Sequence, residues 1–276
     1  MRKITLSTIV TYIILTLWSL LVLFPIWTML INSIKPQREI FRDPFGLPST
    51  LTWAGYERVW VEGNFAIYFR NSIMVTVVSI LLILFLGSLA AYALANWRSR
   101  LSNLVYLFFV AGLMVPIRLG TINIFQIIIA LKLNGTLMSL IPVYVAMGMP
   151  IAAFVLTAFI RSIPSELVEA ARVDGASKWR IYLSVILPLI RPALATVAIF
   201  NLIPIWNDLW FPLIFLRGAE NHRTVTLGVS LLFGQYQTNW TSILSTLSLS
   251  AVPLLVLYLL MSKQFIKGLT AGAVKG

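Results

Sequence analysis

SIPSELVEAARVDGASKWRIYLSVILP, residues 162–188, is the longest polar interruption between apolar segments in the C-terminal two thirds of the chain. Pro164 and Ser165 form a helix start signal. Ser165 can cap the orphan N–H groups of a helix through Glu166, Leu167, Val168, Glu169, Ala170, Ala171 and Arg172. The two acids suit the positive end of that helix and Arg172 the negative end. Asp174 and Gly175 stop it, because glycine enters the left-handed conformation at little steric cost. Ser177 then caps a second helix through Lys178, Trp179, Arg180, Ile181 and Tyr182 towards Pro188. The stretch reads as helix, tight turn, helix. The first helix is too short to be stable alone in water, and Leu167, Ala170 and Ala171 give it a small-residue face. Two uses fit: a peg that docks in a groove of a partner protein, or a surface loop lying at a lipid interface.

Glu169-Ala170-Ala171, then Gly175, then Leu187-Pro188, resembles the EAA motif of the membrane subunits of bacterial ABC importers, E-A-A-x3-G-x9-I-x-L-P. Val185 stands where that pattern has Ile; every other spacing matches. The resemblance implies that residues 162–188 are a cytoplasmic coupling segment seated in a separate ATPase. Leu167, Glu169, Ala170, Ala171, Asp174 and Gly175 would then be the coupling residues, with Glu169 meeting a basic group of the ATPase and Gly175 making the turn.

The surrounding composition sets the class. The chain has 276 residues, 59% hydrophobic and 11% charged, with mean hydropathy +0.91. A soluble domain carries charge on roughly a quarter of its residues, so this is an integral membrane protein. A net charge of +12 and a pI near 10.3 would suggest nucleic acid in a soluble protein, but here the cations cluster between apolar runs. Membrane orientation explains them without a nucleic-acid partner. With no cysteine and one histidine, no disulfide, metal-ligand set, catalytic triad or thiol nucleophile can be assembled.

Residues 7–31 form an uncharged run, longer than a signal-peptide core and without a small-residue cleavage site, and read as a first span kinked near Pro25. Residues 35–70 suit an ordered extracytoplasmic loop. Further spans are expected over 71–97, 101–117 with a stop at Pro116, 136–160, 192–216 and 241–261. Residues 120–131 are apolar but too short to cross, and are expected to lie re-entrant or interfacial. The fold class is therefore all-α, six transmembrane helices in a single domain over 1–276. The core spans cover about 71–262, and a tail covers 263–276. With both ends inside, the inner segments hold Arg2, Lys3, Arg98, Arg100, Arg161, Arg172, Lys178, Arg180, Arg191, Lys263, Lys267 and Lys275 against three acids. The outer ones hold nine basic residues against five acids, mostly in long loops that weigh little in topology. Both termini and the 162–188 stretch then face the cytoplasm.

Asp208 is the only acid within a span, and a carboxylate there faces a cavity or a partner. WNDLWFPLIF, residues 206–215, resembles the W-N-[DE] stretch of carbohydrate-type importer permeases, which points to Trp206, Asn207 and Asp208 in a substrate pathway. The plainer reading is that Asp208 holds its span in register by a hydrogen bond, with Trp206 and Trp210 as interface-belt residues. The 33–60 stretch also resembles the first external loop of those permeases, with Gly55-Tyr56 departing from it. Gly234, Gln235, Tyr236 and Gln237 head a polar tip that, by resemblance, reaches a solute-binding protein; a solvated loop is the alternative. The tail FIKGLTAGAVKG, 265–276, resembles that of maltose-type permeases, which implies contacts of Gly272, Val274, Lys275 and Gly276 with the ATPase. An extended backbone at Gly268 and Gly272 would thread a cleft there; a disordered basic tail is the alternative. His222 sits beside Arg223 in an outer loop and reads as solvated. GASK, 175–178, lacks the phosphate-loop pattern, so ATP and Mg would belong to the partner ATPase and this chain would hold no cofactor.

Taken together, the resemblance is to type I ABC importer permeases of the carbohydrate uptake, maltose-type family in a bacterial inner membrane. It implies a homologous second permease in a heterodimer, an ATPase dimer, an extracytoplasmic solute-binding protein, a sugar or sugar-like substrate and surrounding lipid. A different class, an ion-coupled secondary carrier, would need ionisable residues in several spans and internal repeats; only Asp208 is offered. A membrane-embedded enzyme lacks catalytic groups.

Overall fold

The computed structural model describes residues 5–97, 99–232 and 239–273. Among these, every regular element is helical: α1 (Leu6–Ser33), α2 (Gln37–Arg42), α3 (Ala54–Val61), α4 (Phe65–Asn96), α5 (Arg100–Gly112), α6 (Thr121–Ala130), α7 (Leu140–Arg161), α8 (Ser165–Val173), α9 (Lys178–Ile181), α10 (Leu187–Leu189), α11 (Arg191–Trp206), α12 (Trp210–Phe215), α13 (Val225–Leu231) and α14 (Trp240–Ala273). Single 3-10 turns lie before α6 and α7 and at Glu220–His222, and a π turn, Tyr182–Ile186, joins α9 to α10.

Three helical stretches are long and apolar enough to cross a membrane: α1, α4 and Leu137–Arg161. Two bent pairs meet the same measure when each is taken as one: Arg100–Gly112 with Ile117–Ala130, turned by 88°, and Lys178–Leu189 with Arg191–Trp206, turned by 72°. Trp240–Val256, within α14, is a shorter apolar stretch. The six expected spans map onto these, but α4 begins at Phe65 rather than at 71 and α14 runs on past 261 to Ala273, and two other ends differ. The third ends at Gly112 rather than Ile117, and the 88° turn sends α6 off as the short apolar helix expected between 120 and 131. The fifth ends at Trp206 rather than at Leu216, because Asp208 interrupts it.

The chain divides into two compact units. The first comprises Met1–Ala66 with Gly228–Val252. Thr5 caps α1, and the helix runs unbroken through Pro25 with no buried side chain before Asn32 and Ser33. The last carbonyls of a helix lack partners inside it. Here Ser245 Oγ donates to the Ser33 carbonyl (3.1 Å) and Thr241 Oγ1 to that of Lys35 (3.3 Å). Asn32 Nδ2 donates to the Pro44 carbonyl (2.8 Å), and the fully buried Lys35 Nζ to that of Asp43 (2.7 Å). Ser33 Oγ shares a 2.7 Å hydrogen bond with Tyr56 OH. The expected ordered loop is thus a polar-stapled structure carrying α2 and α3.

The second unit comprises Ile67–Leu227 with Pro253–Gly276. Its core is built from Ile83, Leu140, Tyr144, Leu156, Val197 and Phe211, all buried. Lipid is as apolar as Leu, so close packing rather than hydrophobicity must hold such helices together. Gly87 shows how: a Cβ there would lie 2.6 Å from the Cβ of Ala152, so α4 and α7 meet nearly backbone to backbone. Ser88 Oγ and Tyr182 OH, 2.7 Å apart, tie α4 to the π turn.

Candidate functional site

In the 162–188 stretch the structure yields helix, turn, helix. Ser165 is the first residue of α8, so Pro164 holds the cap position and no side chain caps the helix. That corrects the expected Ser165 cap. The C-terminal end is closed by backbone alone. Ala176 N–H donates to the Ala171 carbonyl and Gly175 N–H to that of Arg172, each at 3.0 Å, with Gly175 at φ +75°. This is the Schellman arrangement, and its left-handed residue is the expected glycine. Ser177 caps α9 through Arg180 N–H at 3.3 Å, as expected.

The faces of α8 are sorted differently from the sequence reading. Val168 and Ala171 pack against the core. Leu167, Glu169, Ala170, Asp174 and Gly175 are exposed, and Val173 is 88% exposed. Ala171 therefore faces the bundle, and the outward apolar groups are Leu167, Ala170 and Val173. None of Glu166, Glu169, Arg172, Asp174, Lys178 or Arg180 joins an ion pair among the described residues. The second half of the segment is anchored instead. Tyr182 is buried against Ser88, and Tyr92 OH donates to the Lys178 carbonyl at 3.2 Å. Pro188 has no N–H to give the Ser184 carbonyl, and the π turn falls over that gap.

A second constellation gathers where α11 breaks. Asp208 is buried, with three donors on its carboxylate: Trp210 N–H to Oδ1 (3.2 Å), and Phe211 N–H (3.2 Å) and Tyr144 OH (3.0 Å) to Oδ2. From the position before the cap residue Leu209 it accepts from the first two N–H groups of α12, and it tethers that helix to α7. Its carbonyl accepts from Thr226 Oγ1 at 2.7 Å. Arg118 Nη2 stands 3.8 Å from Oδ1. Trp206 is buried with an edge-on contact to Phe69 (6.0 Å between ring centroids), while Asn207 is exposed and its Nδ2 donates to the Ile203 carbonyl. Trp210 Nε1 donates to Thr121 Oγ1 at 2.9 Å. The three residues singled out in sequence thus diverge: Trp206 and Asp208 face inward, Asn207 outward. Sequence reading missed Tyr144, Thr121 and Arg118. Only Arg118 left a signal there, as the sole charge between residues 101 and 131. His222 is anchored rather than simply solvated: Nδ1 lies 2.7 Å from the Gly135 carbonyl.

An open cavity of about 620 Å³ beside the α5 end is lined by apolar side chains including Phe108, Leu113, Met147 and Pro150. Among the described residues no group of three or more His, Asp or Glu side chains is placed to hold a metal ion. Gly234, Gln235, Tyr236 and Gln237, and Val274, Lys275 and Gly276, lie outside the described residues. α14 carries the chain as helix through Gly272 to Ala273, so the extended backbone expected at Gly268 and Gly272 is replaced by helix.

Apolar helices long enough to cross a membrane, two more in bent pairs, and a short exposed helix between them are the architecture of an integral membrane protein. The chain belongs to the family of binding-protein-dependent transport system inner membrane components, whose model matches residues 83–270. It is thus the multi-pass inner-membrane permease subunit of an ABC importer. It is 36% identical over 279 residues to an inner membrane ABC transporter permease protein of Escherichia coli (strain K12), covering 100% of this chain and 99% of that one. It is 31% identical over 268 residues to the diacetylchitobiose uptake system permease protein of Streptomyces coelicolor, covering 96% and 88%. Its fold matches a chain from the crystal structure of a bacterial ABC transporter involved in the import of the acidic polysaccharide alginate, with TM-score 0.81 and 23% identity over 96% of this chain and 98% of the other. The fold is that of a type I importer permease. The ion-coupled carrier finds no support in the family or in these relatives.

Proposed function

We propose that this chain forms half of the translocation pathway for a saccharide and is driven by a separate ATPase dimer through α8. The observation that carries the reading is the state of α8. Leu167, Ala170 and Val173 stand outward beside charged groups with no ion-pair partner among the described residues. A short helix that is stable only when packed, held by backbone hydrogen bonds and one packed edge, is suited to enter a groove. Glu169 would offer its carboxylate to a basic group there, and Asp174 and Gly175 would set the turn. The peg lies on the inner face, with both termini, and Gly272, Val274, Lys275 and Gly276 touch the same ATPase.

The partner permease is a homologous chain forming a heterodimer with this one. Closure of the ATPase on ATP draws the two pegs together, opens the shared cavity outward and admits sugar from a docked solute-binding protein. Gly234, Gln235, Tyr236 and Gln237 contact that protein. Hydrolysis then resets the cycle. ATP and Mg reside in the ATPase. Saccharide as cargo is supported by the diacetylchitobiose uptake system to which the Streptomyces coelicolor relative belongs. The whole chain acts as one permease domain.

The test is ATP-driven uptake by the complete transporter in proteoliposomes, with Glu169→Ala and Gly175→Pro compared to wild type. Proline cannot adopt φ +75°. Losing one buried interface anchor is worth about 2 kcal/mol, so ATPase retained on the purified permease should fall about thirtyfold in affinity, with uptake falling alongside. Unchanged ATPase retention and uptake in both variants would remove the docking role. Uptake that persists without ATP and collapses with an uncoupler would remove the ABC reading itself.

A further inference from the structure

Arg118 is the one charged side chain at the α11 break that the pathway reading leaves without a task. Its side chain is 68% exposed. Its nearest carboxylate oxygen, on Asp208, is 3.8 Å away, too far for a hydrogen bond. Asp208 does not need it, because three donors already surround that buried carboxylate. The guanidinium is thus largely exposed, and no group among the described residues takes a hydrogen bond from it.

Beside it is a fixed aromatic surface. The Arg118 guanidinium carbon stands 5.8 Å from the centroid of the Trp210 ring, and Trp210 as a residue is 42% exposed. The indole cannot swing freely: Nε1 is bonded to Thr121 Oγ1, which in turn donates to the Arg118 carbonyl. Cation and indole are therefore locked to the same turn of chain ahead of α6. Asn207, one residue before Asp208, adds an exposed amide.

A planar cationic fork matches a carboxylate in a bidentate pair, which a lysine could not reproduce. An indole offers an apolar face with low loss of conformational entropy. A pyranose ring bearing a carboxylate presents both complements: a C–H face and, at its edge, a planar anion. We propose that Arg118 and Trp210 form a subsite for an acidic sugar, with the guanidinium taking the uronate carboxylate and the indole taking the ring. This rests on the saccharide pathway proposed above and narrows its substrate class. A carboxylate supplied by a partner protein would present the same anion without the ring, and the experiment separates the two.

The experiment is equilibrium binding to the complete transporter in nanodiscs, without solute-binding protein, using two probes of equal length: a galacturonate pentasaccharide and maltopentaose. Wild type should prefer the uronate, and Arg118→Gln should lower the ratio of the two affinities by about tenfold, the scale of a hydrogen bond to a charged group. Arg118→Lys should keep only part of the preference, because it keeps the charge and loses the fork. Trp210→Ala should weaken both probes. Rising salt should erode only the uronate. Equal affinities in wild type, a ratio unmoved by Arg118→Gln and Arg118→Lys, or a preference that appears only when solute-binding protein is added would each overturn the subsite. If maltopentaose binds and the uronate does not, the subsite falls while saccharide transport stands. If neither binds yet ATP-driven uptake of a neutral sugar proceeds, the subsite falls and the importer reading survives.

Discussion

At the residue scale, the most informative side chain is Asp208. Its exceptional position was legible, since no other acid lies within an apolar run. Its occupation was not. Tyr144 is 64 positions away in sequence, and the two backbone donors at Trp210 and Phe211 become available only once the fifth span breaks. Both readings of the residue share one physical basis: an ionised group away from water needs full hydrogen bonding. Asp208→Asn leaves one acceptor oxygen for three donors and turns an amide N–H towards a hydroxyl or a backbone N–H. Loss of a charged acceptor of this kind costs about 1–3 kcal/mol. Tyr144→Phe removes one donor and should cost less, about 1 kcal/mol. Since the two groups touch, the double variant should be less destabilised than the sum of the singles. Thermal unfolding of the purified complex checks this, and strict additivity would mean that the Tyr144 contact is unimportant.

At the element scale, the sequence reported helix punctuation better than helix faces. Ser177 and Gly175 act where their chemistry puts them, one as a cap and one at positive φ. Ser165 does not, because Pro164 already occupies the cap position and Pro has no N–H to lose at a helix start. Ala171 packs inward with Val168, while Leu167 and Ala170 stay exposed: apolar residues lie on both sides of α8, and which side turns inward is set by the bundle beneath it. Breaks were the least legible feature. Pro116 signals the 88° turn, yet α5 stops four residues earlier at Gly112. Packing between spans is more sharply testable. At Gly87 the obstacle to a new methyl is the Cβ of Ala152, which has no rotamer to move. Gly87→Ala must therefore push α4 and α7 apart, at about 1–3 kcal/mol for overpacking. Adding Ala152→Gly removes the obstructing atom and should restore most of the loss. Unfolding midpoints of the two variants decide it: a double variant as unstable as Gly87→Ala would show that the methyl clash is not the cause.

At the scale of the whole molecule, function depends on which face of the membrane carries α8. The charge asymmetry already argues for the inner face. Arg161, Arg172, Lys178, Arg180 and Arg191 fall within or next to the segment, while the outer charges lie mainly in long loops. The chain contains no cysteine, so one introduced thiol reports on one position without background. Val173 is the most useful site, being 88% exposed, outside every span and beyond the packed edge of α8. Val61, at 72% exposure in the segment after the first span, is its counterpart for the opposite face. In intact spheroplasts a membrane-impermeant maleimide should label Val61→Cys and leave Val173→Cys untouched. In inverted vesicles stripped of ATPase, the pattern should reverse. Restoring the ATPase should then slow labelling of Val173→Cys by about tenfold or more, since an interface buried at its centre excludes water and reagent alike. Labelling of Val173→Cys from outside would put α8 on the wrong face for an ATP-driven partner. Unprotected labelling in the reassembled complex would leave orientation intact while taking the peg out of the interface, so the two halves of the coupling proposal fail separately.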